Sequence, residues 1–567
     1  MTPSQSTAHA DARPDPSRWP RDQRGQAWDH FANPDPSSQR EYARRHGLPR
    51  STLGDWIRQD DLDGLDPELV AFLRSASGER LQRRLVLALL LVFHLDNACG
   101  LRQLTRWLAL TQLDRVVASS YGALYDLAAC LQAALGVFSD EERQRLGPAM
   151  LAQRLTLCCD EHFHGRLPCL VAIEPVSNFL VVEGYRDRRD GQTWKEAIEA
   201  GLRGLPVQVI QITSDQAKGL LRCARDGLAA EHSPDVFHLQ RDVSRPLLLP
   251  LARPVQQAHK DLDKAKEQSQ RLEALHQAER PGGRKGSTAA LERIIESVRD
   301  ELHAEQRLLE GQQLQEQAHQ EVRGLADDYH PFDPQTGRPL TAAEVEQRLR
   351  QRLGNLEEVA EKAGLAQRAT EGVAKAYGWV GLLSACVAWF WLVTRQRVGA
   401  LDLSDEAERL VYDGLVPSYY WEAAAKRGRD KDARQRLKEL ASGLRKEAWS
   451  ESGALRSLNP ETRAKVEQVA RQCAGLFQRS TSCVEGRNGR LSLLQHGHGR
   501  LNAARLKALT TLHNYLEKRP DGSTAAERFF GQKPRDVFTW LLERMPDLPR
   551  PAARRPPKRE TETQDAA

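Results

Sequence analysis

The spacing of apolar residues changes between about residues 150 and 250. Short runs rich in Val, Ile, Leu and Phe, bounded by Gly, Pro and Asn, replace the three-and-four spacing of helices there. Residues 194–202 keep helical spacing and separate the last two runs. The pattern predicts a mixed sheet with a crossover, with strands at residues 155–159, 167–173, 179–183 and 207–213 and a fifth strand before His238.

After residue 250 the apolar residues return to helical spacing, and this region contains two heptad repeats. The first is formed by Val255, Ala258, Leu262, Ala265, Ser269 and Leu272. The second is formed by Leu291, Ile295, Val298, Leu302, Glu305 and Leu309. The segment "RPGGRKGS", residues 280–287, joins them. We therefore predict an antiparallel helical hairpin over residues 255–325, whose heptads could also pair two protomers.

Near the N-terminus, three short segments have helical spacing. Their apolar faces are formed by Ala27, Trp28 and Phe31, then Tyr42 and Ala43, then Leu53, Trp56 and Ile57. "HGLP" predicts a turn before the third segment, and Ser51 is its expected N-cap. An ordinary three-helix bundle fits this pattern, but the clustered arginines favour a DNA-binding helix-turn-helix. Its expected DNA contacts are Arg44, Arg45, Arg50, Thr52 and Arg58.

Composition narrows the class of protein. Of the 567 residues, 28% are charged and 6% aromatic, and the net charge is +5, which is compatible with nucleic acid but does not require it. Nine Cys without C-x-x-C pairs indicate a reducing compartment, so we expect a cytoplasmic, nucleoid-associated protein. Residues 377–394 carry no charge and could span a membrane. A buried helix is the preferred interpretation, because three Trp lie within the run rather than at its ends.

The stretch "LTLCCDEHFHG" places an acidic pair where the first predicted strand ends. Asp160 would end that strand and Asp215 follows the fourth, so neighbouring strands would bring both carboxylates to one sheet edge. Two divalent cations held by such oxygens can catalyse phosphoryl transfer. Glu161 would point to the opposite side and is the runner-up ligand. His162 and His164 are expected in a solvated turn, with contact to phosphate or metal as the alternative.

These positions resemble the catalytic core of the DDE transposases, a ribonuclease-H-like fold. The resemblance rests on the two Asp-bearing strands, on "PDVFHLQRDVSRPL", and on "VEGRNGRLS" and "RPDGSTAAERFFG" near the C-terminus. It implies that Glu485 is the third acidic residue and that Asp160, Asp215 and Glu485 bind two Mg²⁺ ions, for which Mn²⁺ can substitute. It also implies an all-α insertion before the helix that bears Glu485.

Seven regions follow from this interpretation. The expected fold is α+β and mostly α: 1–20 disordered, 21–62 helix-turn-helix, 63–150 helical with a possible second helix-turn-helix, 151–250 first part of the core, 251–475 helical insertion, 476–545 second part of the core, and 546–567 disordered tail. A single helix is expected to run from residue 460 past Glu485.

The expected function is a DNA transposase that cuts and joins element ends. Its expected partners are double-stranded DNA, both terminal inverted repeats and target DNA, and further copies of the chain in a homodimer or higher oligomer, with no membrane. Further expected DNA contacts are His238, Arg241, Asn488 and Arg490. The alternatives are a domesticated, catalytically inactive DNA-binding protein and a structural coiled-coil or membrane-attached protein.

Overall fold

The computed structural model describes residues 26–27, 30, 38–50, 52–53, 66–278, 288–428, 430–450, 453–498 and 501–551. The predictions of disorder at residues 1–20 and in the tail beyond residue 551 fall outside these residues, as do Trp28, Phe31, Ser51, Arg58 and the connection at residues 280–287. The chain forms two compact units. One comprises Met1–Glu142, Leu493–Leu516 and Arg535–Ala567, and the other comprises Arg143–Ser492 and Glu517–Pro534.

The second unit contains a five-stranded mixed sheet with the order β3-β2-β1-β4-β5. The strands are β1 Gln153–His164, β2 Leu167–Glu174, β3 Phe179–Tyr185, β4 Val207–Ser214 and β5 Glu231–Pro234. The first three form an antiparallel meander, and β4 and β5 run parallel to β1. The remaining regular structure is mostly helical, so the predicted class, α+β and mostly α, is confirmed.

Strand β1 is longer than the sequence analysis predicted, and it corrects two expectations. It continues to His164 and pairs with β2 as far as His164 opposite Leu167. Asp160 therefore lies inside the strand rather than at its end, and His162 and His164 are strand residues rather than turn residues. The physical reason is the ladder with β2, which satisfies the backbone groups of these polar residues until Gly165, at φ +68°, turns the chain.

The helices account for most of the described chain. In chain order they are α1 Gln39–Arg45, α2 Pro67–Arg74, α3 Ala76–Leu89, α4 Leu101–Leu110, α5 Tyr121–Leu146, α6 Gly191–Leu202, α7 Lys218–Arg222, α8 Val236–Ala278, α9 Thr288–Asp328, α10 Ala342–Lys362, α11 Gln367–Gly399, α12 Asp405–Leu410, α13 Val416–Arg427, α14 Lys431–Ala448, α15 Pro460–Leu476, α16 Ser482–His498, α17 Ala503–Tyr515, α18 Ala525–Phe530 and α19 Val537–Arg544. Short 3₁₀ or π segments occur at Leu90–Leu95, Leu113–Arg115, Gly147–Ala149, Cys223–Gly227 and Val411–Leu415.

Helix α11 contains the uncharged segment at residues 377–394. Its buried positions recur every three or four residues, among them Val380, Leu383, Val387 and Phe390, and they belong to the main helical core. The indole of Trp391 is buried and donates to the carbonyl of Leu340 at 2.8 Å. By length and composition, Tyr121–Ala149 and Gln367–Gly399 could each cross a membrane. Core helices meet the same criterion, and the burial of one face of α11 is what the sequence analysis expected.

Helices α8 and α9 pack against each other as a pair, but only one of the two predicted heptads faces the partner helix. Leu262 of α8 packs against Ala304 and Leu308 of α9. The α9 residues that face α8 are mostly small, and a Cβ on Gly311 would lie 3.1 Å from Val255. Small residues allow close approach of the two backbones, so the bulky predicted heptad of α9 lies on the neighbouring, exposed side.

In the first unit, Ala27, Tyr42, Ala43, Leu48 and Leu53 form a small buried cluster. The predicted N-cap, Ser51, lies outside the described residues; the backbone is helical at Arg50, and the N–H of Leu53 donates to the carbonyl of Pro49 at 3.1 Å. The same unit includes Leu493–Leu516 and Arg535–Ala567, of which residues 493–516 and 535–545 had been predicted to belong to the second part of the core. At the start of helix α5, the hydroxyl of Ser120 accepts from the N–H of Ala123 at 3.2 Å.

Candidate functional site

Strands β1 and β4 bring the two aspartates to the same point of the sheet. The last hydrogen-bonded pair of these parallel strands is Cys158 opposite Thr213. Asp160 and Asp215 each lie two residues beyond that pair, so they are neighbours where the strands separate. Neighbouring strands are roughly 4.8 Å apart. The predicted adjacency of the first and fourth strands is therefore confirmed, although Asp160 lies inside β1.

The carboxyl group of Asp160 is held in an environment that disfavours its charge. Burial is the main cause, and repulsion by Asp215 and Glu161 adds to it, so that the pKa of Asp160 is raised to about 6. The backbone N–H of Glu161, which donates to Asp160 Oδ1 at 2.8 Å, and His238 act in the opposite direction. Two acidic groups thus share a site in which a bound cation would relieve their repulsion.

Glu485 reaches the site on a helix of its own, which corrects the prediction of one continuous helix. Helix α15 ends at Leu476, and α16 begins at Ser482 with Glu485 in its first turn. The intervening residues pair with the junction of β5 and α8: the carbonyl of Arg479 accepts from the N–H of Val236 at 3.0 Å. The buried Asp235 accepts from both the N–H and the hydroxyl of Thr481. These tertiary hydrogen bonds fix where α16 starts.

Helix α16 lies over the aspartates through Asn488. The amide of Asn488 donates to Asp160 Oδ2 at 3.3 Å. Glu485 precedes Asn488 by three residues, so both side chains lie on the same side of the helix, with Cβ atoms about 5–6 Å apart. Burial and the nearby Asp235 raise the pKa of Glu485, whereas His238 and Arg241 lower it. Glu485 therefore lies close to His238, which also influences Asp160.

Glu161, the runner-up metal ligand, already has an ion-pair partner. Glu161 forms an ion pair with Arg189, and by strand alternation it faces away from Asp160. His238, at the start of α8, lies 3.7 Å from Asp235, and Arg241 is exposed beside Asp242 at 3.9 Å. The imidazole of His238 and the guanidinium of Arg241 both lie on the Glu485 side of the site.

A second row of polar side chains follows Asp160 along the same face of β1. His162 Nε2 lies 2.8 Å from His164 Nε2, and His164 Nδ1 lies 2.5 Å from the hydroxyl of Tyr185. Burial, together with the neighbouring His164, lowers the pKa of His162 to about 4, so both rings are neutral at pH 7. The two histidines serve as an uncharged hydrogen-bonded pair beside Asn488, and the phosphate or metal contact stays an untested alternative.

A buried ion pair joins α16 to the sheet. Arg487 donates through two nitrogens to the carboxylate of Glu183, at 2.7 Å each, and both side chains are almost completely buried. Glu183 and Tyr185 lie two residues apart on β3 and share the face that holds His164. Four residues of the site were not predicted from the sequence: Glu183, Tyr185, Arg487 and Asp235. The alternation in "VVEGY" marks two polar positions on one face, but only the tertiary contacts show that they face Arg487 and His164.

The predicted DNA contacts are distributed over both units. Arg44, Arg45 and Arg50 are exposed, and Arg45 pairs with Glu41 at 2.6 Å. Thr52 is half-buried, and Arg58 lies outside the described residues. Arg490 forms an ion pair with Glu517 in the second unit. Within the described residues, no group of three or more His, Cys, Asp and Glu side chains is arranged to hold a metal ion.

The comparisons with known proteins give one match. A model described as "Family of unknown function (DUF6399)" matches residues 411–557, the segment that contains α16 with Glu485 and Asn488. No curated protein and no solved structure matches the chain. The match shows that this segment recurs in other proteins, and it gives no activity for them.

Proposed function

We propose that the protein is a DNA transposase of the DDE type, with a ribonuclease-H-like core that performs two-metal phosphoryl transfer. The observation that carries the proposal is the meeting of Asp160 and Asp215 on neighbouring parallel strands, under a helix that bears Glu485 and Asn488. The sheet supports it as well: a three-strand meander followed by a helix and a parallel strand beside β1 is the arrangement that the resemblance implies.

The donor types fit a hard divalent cation. Asp160 and Asp215 supply carboxylate oxygens that repel each other without a counter-charge, and Glu485 is the third proposed ligand. Two bound Mg²⁺ or Mn²⁺ ions would supply activation of the attacking oxygen and stabilisation of the leaving oxygen. Asn488 orients the Asp160 carboxylate through its amide. The exposed Arg241, together with the mostly buried His238, is the proposed contact to a DNA phosphate beside Glu485.

A second candidate is a DNA-binding protein derived from a transposase that no longer cuts DNA. One observation favours it: the described residues contain no group of three His, Cys, Asp or Glu side chains arranged as a metal site. Under this alternative the acidic residues would keep only their structural contacts. The two candidates differ in a single measurable property, metal-dependent cleavage of DNA.

The deciding experiment is nicking of a supercoiled plasmid that carries the DNA flanking the coding sequence, with Mg²⁺, Mn²⁺ or EDTA. We expect metal-dependent nicking by the wild type. Asp160→Asn, Asp215→Asn and Glu485→Gln should each reduce it about 100-fold or more, because one ligand charge is lost at the reacting centre. DNA binding, measured by fluorescence anisotropy, should stay within about twofold of the wild-type affinity, a difference well below 1 kcal/mol.

Glu461→Gln provides the matched control, since its carboxylate is 80% exposed and pairs only with Lys465 one turn along α15. It should nick DNA as the wild type does. Cleavage by Asp160→Asn or Asp215→Asn at the wild-type rate would remove that residue from the site. DNA binding without any metal-dependent cleavage by the wild type would favour the inactive alternative.

A further inference from the structure

Helix α9 carries an apolar stripe that no described part of the second unit covers. Leu291, Ile295, Val298, Leu302 and Leu309 are exposed by 42%, 59%, 38%, 58% and 52%. These five residues, the α9 stripe, lie beside the face that packs on α8, where Ala304 is 2% exposed. With Glu305 between Leu302 and Leu309, the line repeats every three or four positions over roughly 27 Å of helix, at about 1.5 Å per residue. Single exposed apolar residues are ordinary on a protein surface, but a continuous line at heptad spacing is not.

The spacing of the α9 stripe fits a second helix. Residues that recur alternately at three and four positions form the seam of a coiled coil, in which each side chain enters a hole on the partner helix. The seam toward α8 is already used by Ser297, Ala304 and Leu308. The α9 stripe is therefore a second seam on the same helix, and its partner must come from outside the α8–α9 pair.

The order of the residues makes the α9 stripe complementary to itself. With Glu305 included, the intervals are four, three, four, three and four residues, and they read the same in both directions. Antiparallel pairing centred on Asp300 places Leu291 opposite Leu309 and Val298 opposite Leu302. Ile295 then meets Glu305, whose alkyl stem can cover it while the carboxylate stays in water. Such a self-complementary surface is what a two-fold interface between identical chains requires.

We propose that the α9 stripe is a contact surface between two copies of this chain, which pack their α9 helices against each other in antiparallel orientation. Five half-exposed side chains would bury roughly 900 Å² in total, less than the roughly 1,600 Å² of a typical stable interface. The association is therefore reversible and depends on protein concentration. This inference does not rest on the proposed nuclease activity.

The test is the self-association of the full-length protein without DNA, measured by sedimentation velocity over a concentration series. The wild type should form dimers at micromolar concentrations. Leu302→Glu should weaken dimerisation about tenfold or more, since it places a charge in the seam. The matched control is His303→Glu, which adds the same charge at an exposed position on another side of α9. It should dimerise as the wild type does, and circular dichroism should show equal helix content in both variants.

A charge-exchange pair tests the orientation. Val298→Glu and Leu302→Lys should each weaken self-association, and their equimolar mixture should restore it, because antiparallel pairing sets the introduced carboxylate of one copy against the introduced ammonium group of the other. Parallel pairing sets each position against itself, so mixing would leave each introduced charge opposite an apolar residue and would restore self-association only in part. A wild type that stays monomeric at all concentrations, dimerisation of Leu302→Glu equal to that of His303→Glu, or no gain on mixing would each overturn the proposal.

Discussion

Asp160 lies in surroundings that disfavour its charged form. It accepts hydrogen bonds from the Glu161 backbone and from Asn488, yet burial and Asp215 still raise its pKa to about 6. The neighbouring Cys158 and Cys159 are completely buried and serve as small core residues. A charged carboxylate beside an apolar strand interior therefore costs stability unless it gains a counter-charge.

This cost predicts a pH-dependent difference in stability between the wild type and Asp160→Asn in EDTA. The pKa of Asp160 is raised from 3.8 in the unfolded chain to about 6 in the folded protein. Its stabilising contribution is therefore complete below pH 3.8 and is lost as the pH rises through 6. Asparagine does not ionise. The free energy of unfolding of the variant should therefore rise by about 1–2 kcal/mol relative to that of the wild type between roughly pH 5 and pH 7.5.

Thermal unfolding of both proteins across that pH range, monitored by circular dichroism, measures the difference. A constant difference in unfolding free energy over the whole range would show that Asp160 ionises normally. Mg²⁺ should raise the melting temperature of the wild type at the upper end of the range more than that of Asp160→Asn, because only the wild type carries the carboxylate that the ion would bind.

At the scale of elements, the position of α16 depends on contacts at both ends of its first two turns. Thr481, just before the helix, bonds to Asp235 at the end of β5, and Arg487 bonds to Glu183 on β3. Between these two anchors lies Glu485, one turn before Asn488. The segment before the helix is also bonded to the helices at residues 251–475, since Arg479 donates to the carbonyl of Ala326 at 2.6 Å and Arg427 donates to Gln478 Oε1 at 3.0 Å.

Loss of the buried ion pair should therefore loosen α16. Arg487→Ala leaves the carboxylate of Glu183 buried without its partner, and we expect a loss of about 3–5 kcal/mol in the free energy of unfolding. Arg490→Ala is the matched control, because Arg490 lies on the same helix and pairs with Glu517 at the surface. Its loss should be about 1 kcal/mol or less. Urea unfolding of the two variants gives both values, and equal losses would contradict the anchoring role of Arg487.

At the scale of the whole molecule, the chain combines an acidic site in one unit with an arginine cluster in the other. Arg44 and Arg50 are exposed around the turn that precedes the helix at Arg50, and the same unit includes residues far along the chain at 493–516. We propose that this unit binds DNA, and each phosphate contact made by an arginine would then contribute to the salt dependence of binding.

Arg50→Ala should lower the slope of log K against log salt concentration by about 1 and weaken binding similarly for all sequences, since a phosphate contact reads charge and not bases. Arg45→Ala should have a smaller effect, because Glu41 already pairs with Arg45. Anisotropy titrations at several salt concentrations measure both slopes. An unchanged slope for Arg50→Ala would contradict DNA binding through this turn.

Local patterns predicted the elements because their causes are local. Alternating or continuous apolar residues placed β2, β3 and β4 to within two residues of their observed bounds, and three-and-four spacing identified the long helices. Thr341 and Glu344 form a capping box at the start of α10, with the N–H of Glu344 donating to the Thr341 hydroxyl at 3.2 Å. These features depend on residues a few positions apart, and no distant contact is needed to establish them.

The sequence by itself thus determined the mixed sheet, the long helices between residues 251 and 475, and Asp160 and Asp215 as candidate neighbours. Only the tertiary structure decided the extent of β1, the break before α16 and the side of α9 that faces α8. In each case the reason is a tertiary contact. Pairing with β2 extends β1 past Asp160, and the hydrogen bond from Thr481 to Asp235 fixes the start of α16 at Ser482. The small residues of α9 allow a closer approach to α8 than leucines would. Periodicity specifies that a face is apolar, but packing decides which apolar face is covered.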